Sequence, residues 1–183
     1  MSWVTDPVFA ASRLVFDAPE IERAVARIAG EVTAVCEDRD PVVMPVLLGG
    51  LPFGAALLAQ LQFQLHIDYV HVSRYRGGTQ GGTLHWVREP AISLVGRQVL
   101  LVDDVLDEGN TLQALKSWCA EAGAAEVLAA VLVTKYSTRR APDVRADFTG
   151  LDSGSDFLFG YGMDYQQRYR HLSEIRALPE EKT

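Results

Sequence analysis

Residues 99–111 read Val99-Leu100-Leu101-Val102-Asp103-Asp104-Val105-Leu106-Asp107-Glu108-Gly109-Asn110-Thr111. Four apolar residues in a row, β-branched at both ends, suit a strand buried on both faces. Two carboxylates close that run and a third follows at Asp107. Gly109-Asn110-Thr111 then opens a helix over 111–122, which Gly123 ends. Glycine turns and helix N-termini offer unpaired N–H groups to a phosphate, and Thr111 adds a hydroxyl. Carboxylates beside such a site would repel a bare anion unless they bind sugar hydroxyls or a divalent cation. The segment therefore suits a phosphorylated sugar, with amides for the phosphate and acids for the ribose diol and Mg²⁺. The plainer alternative is an acid-rich helix start, where Asp is common.

Outward from this segment the same grammar repeats. Downstream, residues 127–133 read as another buried strand, with further strands near 147–150 and 157–159. Upstream, residues 46–48 run into Gly49-Gly50 and a helical pattern over 54–63. Residues 65–75 are rich in β-branched and aromatic side chains, which predicts one strand. Gly77, Gly78, Gly81 and Gly82 crowd the next positions, and residues 84–88 return as the second strand of a hairpin. A helix over 17–37 starts at Asp17, with Glu20 three residues on and Pro19 in its first turn. Its Ile21, Val25, Ile28, Val32 and Val35 share one face. Apolar strands separated by helices predict an α/β fold: a mainly parallel twisted sheet with helices on both faces, and ligands at the strands' carboxyl ends.

The chain has 183 residues, 48% hydrophobic and 22% charged, which predicts one domain with a sizeable core. A net charge of −7 excludes the basic stripe that sequence-independent nucleic-acid binding uses. Cys36 and Cys119 form neither a disulfide framework nor a metal knuckle and read as core residues of a reducing compartment. With no basic, apolar leader at the start, the expectation is a cytoplasmic protein. Residues 41–67 carry no Lys, Arg, Asp or Glu, but Pro45, Gly49, Gly50, Pro52 and Gly54 interrupt them. A strand, a turn and a helix explain that stretch better than a membrane span. His66, His71, His85 and His171 lack metal spacing, and Trp3, Trp86 and Trp118 read as packing residues.

The motif at 103–111 resembles the phosphoribosyl pyrophosphate-binding motif of type I phosphoribosyltransferases. The likeness extends further. Val46-Leu47-Leu48-Gly49-Gly50 resembles the pyrophosphate-loop strand, and Lys135 follows the next strand. Phe157-Leu158-Phe159-Gly160-Tyr161-Gly162-Met163-Asp164-Tyr165-Gln166-Gln167-Arg168-Tyr169-Arg170 is similar to the C-terminal purine hood of the hypoxanthine-guanine phosphoribosyltransferases, and the order holds from about residue 42 to 178. The resemblance implies the type I fold: one domain over 1–183, with a core of about 17–150. A small C-terminal hood of about 151–178, joined by the N-terminal segment, and a flexible hairpin loop complete it. It also implies Mg²⁺ as cofactor, phosphoribosyl pyrophosphate and a 6-oxopurine base as partners, and a homodimer or homotetramer, with no nucleic acid and no membrane.

Position by position, the resemblance implies that Asp103 and Asp104 hold the ribose hydroxyls and, with Asp164, lie near the metal. Asp107, Glu108, Gly109, Asn110 and Thr111 would wrap the 5′-phosphate. Asp107 is the candidate catalytic residue, a proton partner for purine N7. Lys135 would donate to purine O6, Phe157 would stack on the ring, the Leu158 backbone would read its edge, and Asp164 would border it. Leu48, Gly49, Gly50 and Arg170 would face the pyrophosphate. A lysine that donates to a 6-oxo group meets a 6-amino group donor to donor, so adenine is expected to be rejected.

Two departures stand out. Leu48 occupies a place where many members carry Lys or Arg. Arg74 stands where Ser often precedes the flexible-loop tyrosine, here Tyr75. Gly49 and Gly54 also match the outer glycines of a P-loop, but Ala55-Ala56 replace its Lys-Ser/Thr, which rejects that reading. The rival expectations are a xanthine-directed transferase and a non-catalytic regulator that senses phosphoribosyl pyrophosphate. The set Asp107, Lys135 and Phe157 favours the enzyme.

Overall fold

The computed structural model describes residues 6–74, 84–141 and 143–178. It opens with α1 (Pro7–Ala11), β1 (Arg13–Phe16), α2 (Ala18–Cys36), β2 (Val42–Leu47), α3 (Leu51–Leu58), β3 (His66–Ile67) and β4 (Val70–Arg74). It continues with β5 (Leu84–Arg88), β6 (Gln98–Leu106), α4 (Asn110–Glu121), β7 (Glu126–Lys135), β8 (Phe148–Ser153), β9 (Phe157–Phe159) and β10 (Ile175–Leu178). The main sheet runs β5-β4-β2-β6-β7-β8, with β3 also beside β2, and every pairing is parallel except β4 with β5. A separate antiparallel sheet, β1-β10-β9, joins the N-terminal segment to the C-terminal one.

Alternation within the central strands feeds two cores. In β6, Leu100 and Val102 join Ile21, Val25, Ile28, Phe53 and Leu57 of α2 and α3 on one face. Val99 and Leu101 join Leu112, Leu115 and Cys119 of α4 on the other. Each of these side chains is nearly or wholly buried, worth about 1.5–3 kcal/mol apiece for the larger ones. Both cysteines are buried core residues. The start of α2 is a capping box: Asp17 accepts from the Glu20 amide at 2.8 Å and Glu20 accepts from the Asp17 amide at 2.9 Å.

Four segments differ from the sequence expectation. Strand β2 begins at Val42 rather than near 46, because Pro45 in its middle masks an otherwise apolar strand. The same proline divides the single strand expected over 65–75. Val43 accepts from the Asp68 amide, but the next rung needs an N–H at position 45, where proline has none. The neighbour therefore breaks between β3, paired to Val42 and Val43, and β4, paired to Val46 and Leu47. Helix α3 starts at Leu51, three residues before the expected Gly54, with Pro52 in its first turn. Gly54 lies inside that helix because its face packs on Pro45, where a Cβ would clash with the proline ring. Finally, β6 does not close at Asp103-Asp104: it continues to Leu106, in register with β7 up to Thr134.

The break at residues 68–69 is consolidated by one buried carboxylate. Asp68 accepts from the Ala91 and Ile92 amides at 2.6 and 2.8 Å and from its neighbour Tyr69 at 2.8 Å. Arg88 pairs with it at 3.4 Å. Burial disfavours the charge on Asp68, but these donors outweigh that and hold its pKa below the ordinary carboxylate value. Its stabilisation is thus complete above the unfolded value, roughly 3.9, and is lost as pH falls through the lower folded one. Asp68→Asn is expected to cost about 2 kcal/mol at pH 7, with the gap to the parent narrowing below pH 4, as read by urea unfolding across pH.

Candidate active site

The cleft lies at the carboxyl ends of β2, β6 and β7 and has a volume of about 1090 Å³. Its floor is β6. Asp103 stands opposite Val131 of β7 with Asp104 next to it in the strand, and Asp103 accepts from the Asp104 amide at 3.0 Å. Asp104 is buried, which raises its pKa above the ordinary value against the pull of Asp103, the Val105 amide and the Arg170 guanidinium. After Leu106 the chain turns through Asp107 and Glu108 to Gly109, whose φ of 83° is left-handed. Gly109 is the N-cap of α4 and brings no side chain to the helix end. A Cβ there would strike Val144, so the position is glycine for two reasons.

The second wall comes off β2. The Leu47–Leu48 peptide is cis, and Leu48 is half exposed beside Gly49. Gly49 sits against the carboxylate of Asp104 so closely that a Cβ would overlap it. Gly50 lies behind, with its N–H donated to the Val46 carbonyl at 2.8 Å. Gly162, with φ 102°, brings the C-terminal segment onto the Gly49 carbonyl. Backbone contact thus joins the 48–50 turn to the hood.

A smaller recess of about 210 Å³ adjoins the cleft, between Asp107, Lys135, Phe157, Leu158 and Asp164. Lys135, the last residue of β7, has a side chain 12% exposed, and its Nζ lies 3.1 Å from Asp107 Oδ2. Phe157 at the start of β9 keeps 45% of its surface exposed and meets Tyr165 edge to face, centroids 5.8 Å apart. Arg170 donates to the Gly162 carbonyl at 2.5 Å and to Asp164 Oδ1 at 2.6 Å. The other Asp164 oxygen accepts from the Gln167 amide at 2.7 Å. Asp164 is therefore held rigidly, facing both spaces.

The residues singled out in the sequence fall as follows. Leu48, Gly49, Asp103, Asp104, Asp107, Gly109, Thr111, Phe157, Asp164 and Arg170 line the cleft, and Lys135 and Leu158 line the recess. Glu108 pairs with Arg139 at 3.1 Å and accepts from Asn110 Nδ2 at 3.2 Å, a surface cluster beside the loop. The Arg74 side chain, Tyr75 and the glycine loop lie outside the described residues. Sequence reading missed His71, which lines the cleft from β4. It missed Arg140 as well, which donates to the Asp107 carbonyl at 2.6 Å. No motif marks either. His66, by contrast, sits with Asp40 at 3.3 Å, away from the cleft.

The same substitution at two glycines gives opposite outcomes. Gly49→Ala is expected to push Asp104 aside and cost about 1–3 kcal/mol, as overpacking does. Gly30→Ala, mid-helix in α2 where a Cβ meets nothing, is expected to stabilise by about 0.5–1 kcal/mol. Thermal melts of both variants check the pair.

Comparison with known proteins agrees with this geometry. Residues 14–168 match the family model of the phosphoribosyl transferase domain. The chain is 33% identical to the hypoxanthine-guanine phosphoribosyltransferase of Streptococcus pneumoniae (strain ATCC BAA-255 / R6) over 163 residues, 88% of this chain and 90% of that protein. It is 33% identical to the enzyme of the same name from Bacillus subtilis (strain 168) over 167 residues, 91% and 92% of the two chains. A solved hypoxanthine-guanine-xanthine phosphoribosyltransferase superposes with a TM-score of 0.83 at 30% identity, covering 92% of this chain and 97% of that one. Because the matched residues run from β1 into the hood and take in the whole floor of the cleft, the chain belongs to the phosphoribosyl transferase domain family.

Proposed function

We propose that the protein is a purine salvage enzyme. It transfers the 5-phosphoribosyl group from phosphoribosyl pyrophosphate to hypoxanthine and guanine, giving the 5′-mononucleotide and pyrophosphate. The observation that carries this reading is the pairing of Lys135 with Asp107 at 3.1 Å, beside the open face of Phe157. A 6-oxopurine entering the recess replaces each partner for the other: Lys135 turns its donors to O6, and Asp107 accepts from N7. Phe157 stacks on the ring. N9 then bonds to the anomeric carbon as the bond to pyrophosphate breaks, and Asp107 takes the N7 proton. Adenine presents a donor where Lys135 needs an acceptor, which leaves a buried ammonium unpaired.

The 5′-phosphate is assigned to the turn at 107–111 and the first amides of α4, where the helix dipole favours an anion. Asp103 and Asp104 suit the ribose hydroxyls. They also suit Mg²⁺, which takes one or two carboxylates and completes its shell with substrate oxygens and water. No cluster of three or more ligating side chains occurs among the described residues, in keeping with a metal held mainly by substrate. When bound, the ion would neutralise charge on the pyrophosphate oxygens. With Leu48 in place of a cation, the groups among the described residues assigned to the pyrophosphate are the backbone at Gly49 and the Arg170 guanidinium. A cytoplasmic homodimer or homotetramer is the proposed setting, and no helix among the described residues is long and apolar enough to cross a membrane.

Pyrophosphate release with hypoxanthine, guanine, xanthine, adenine and uracil in parallel tests the reading. Release with 6-oxopurines and little with adenine or uracil is expected, and chelation of divalent metal is expected to stop it. The absence of release with every base, while phosphoribosyl pyrophosphate still binds, would replace the enzyme with a phosphoribosyl pyrophosphate sensor. Asp107→Asn is expected to lower kcat by about 100-fold or more while changing the KM values little. Equal turnover would remove Asp107 from its role.

A further inference from the structure

Strand register fixes Asp107 and Lys135 only in part. The β6–β7 ladder ends with Leu106 opposite Thr134. Asp107 lies one residue past that pair, and Lys135 is the last residue of its strand. Lys135 is paired on its other side with Ser153 of β8, whereas Asp107 has left the sheet. Arg140, in the loop after β7, makes the connection. Its Nε donates to the Asp107 carbonyl at 2.6 Å and its Nη2 to the Leu106 carbonyl at 2.7 Å. The same Nη2 donates to the carbonyl of Lys135. A guanidinium suits this task because it is planar, permanently charged and carries donors in fixed directions. Arg139 does something different: its side chain is 82% exposed and pairs with Glu108.

Building on the function proposed above, we propose that Arg140 is a positioning residue for the base-binding half of the site. One guanidinium, fastened to the carbonyls of Leu106, Asp107 and Lys135, holds the N7 partner and the O6 donor at the separation a purine requires. Arg140 acts through these two residues. The phosphate half shares Asp107 with this tether, but the rest of its turn leads into α4, which Leu112 and Leu115 anchor in the core. Loss of the tether therefore affects the two substrates unequally. Recognition of the base fails first, and binding of the phosphoribosyl group persists.

Two variants and two readouts test this. Arg140→Gln removes the charge and the fork; Arg140→Lys keeps the charge but replaces the fork by a single point. In Arg140→Gln, kcat/KM for hypoxanthine is expected to fall about 100-fold, the scale of a small misplacement of reacting groups. The KM for phosphoribosyl pyrophosphate is expected to rise far less than that for hypoxanthine, and Arg140→Lys is expected to recover only part of the loss. Hydrogen exchange measured without substrate should quicken in peptides spanning 103–110 and 131–138 in both variants, while peptides of α2 keep the parent rate. Unchanged kinetics, a parallel rise of both KM values, or unchanged exchange in the two peptides would overturn the proposal. If Arg140→Gln does not fold, Arg140→Lys decides by the same criteria. If the parent itself makes no nucleotide from any purine, the function proposed above fails, and the exchange comparison alone decides the fate of the Arg140 tether.

Discussion

The parallel pairing of β6 with β2 on one side and β7 on the other is the constraint on which the cleft depends. It sets Val42 against Val99 and Pro45 against Val102, and in the same sheet Asp103 against Val131 and Leu106 against Thr134. Shifting a strand by one residue would send Leu100 and Val102 to the wrong core and exchange the faces that Asp103 and Asp104 occupy. Two separate hydrophobic clusters therefore guard the register. The cost falls on Asp104, a carboxylate held in a buried place where its charge is disfavoured. The sheet tolerates it because the flanking strands are apolar along almost their whole length.

An acidic chain that handles a polyphosphate has to supply local positive character against its own net charge. The helix terminus behind Gly109 does so with dipoles. Lysine and arginine appear near the cleft mainly in neutral pairs: Lys135 with Asp107, Arg170 with Asp164, Arg139 with Glu108. Such pairs hold cations ready at fixed points without a strong outward field. Their replacement by substrate groups is an exchange of partners, so little uncompensated charge has to be buried at any stage.

What the sequence revealed, and what it concealed, follows from the range of the interactions. The acids, the glycine and the helix start at 103–111 are local chemistry, and they appear in the fold where the motif implies. Helix α2 is legible for the same reason, through Asp17, Glu20 and a periodic apolar face. Pro45 misled because its effect is expressed on another strand, in the gap between β3 and β4. Strands β1 and β10 are four residues each and pair only with distant segments, so neither carries a signal of its own. Arg140 is an arginine among loop residues, and its meaning exists only once two strand ends meet.

The antiparallel sheet β1-β10-β9 has a kinetic consequence. Arg176 donates to Ser12 across 164 residues, and its guanidinium lies over the Phe9 ring at 4.1 Å. Contacts of such sequence separation form late, because the chain must be closed into a long loop before they contribute. On the ribosome, the strands and helices of the main sheet emerge well before β10 does. The phosphate-binding turn is therefore made first, while the Phe157 wall of the recess waits for β10 to pair with β9. A nascent chain passes through a stage that holds the sugar-phosphate half of its chemistry, with Lys135 beside it, and not yet the aromatic wall on which a base would stack.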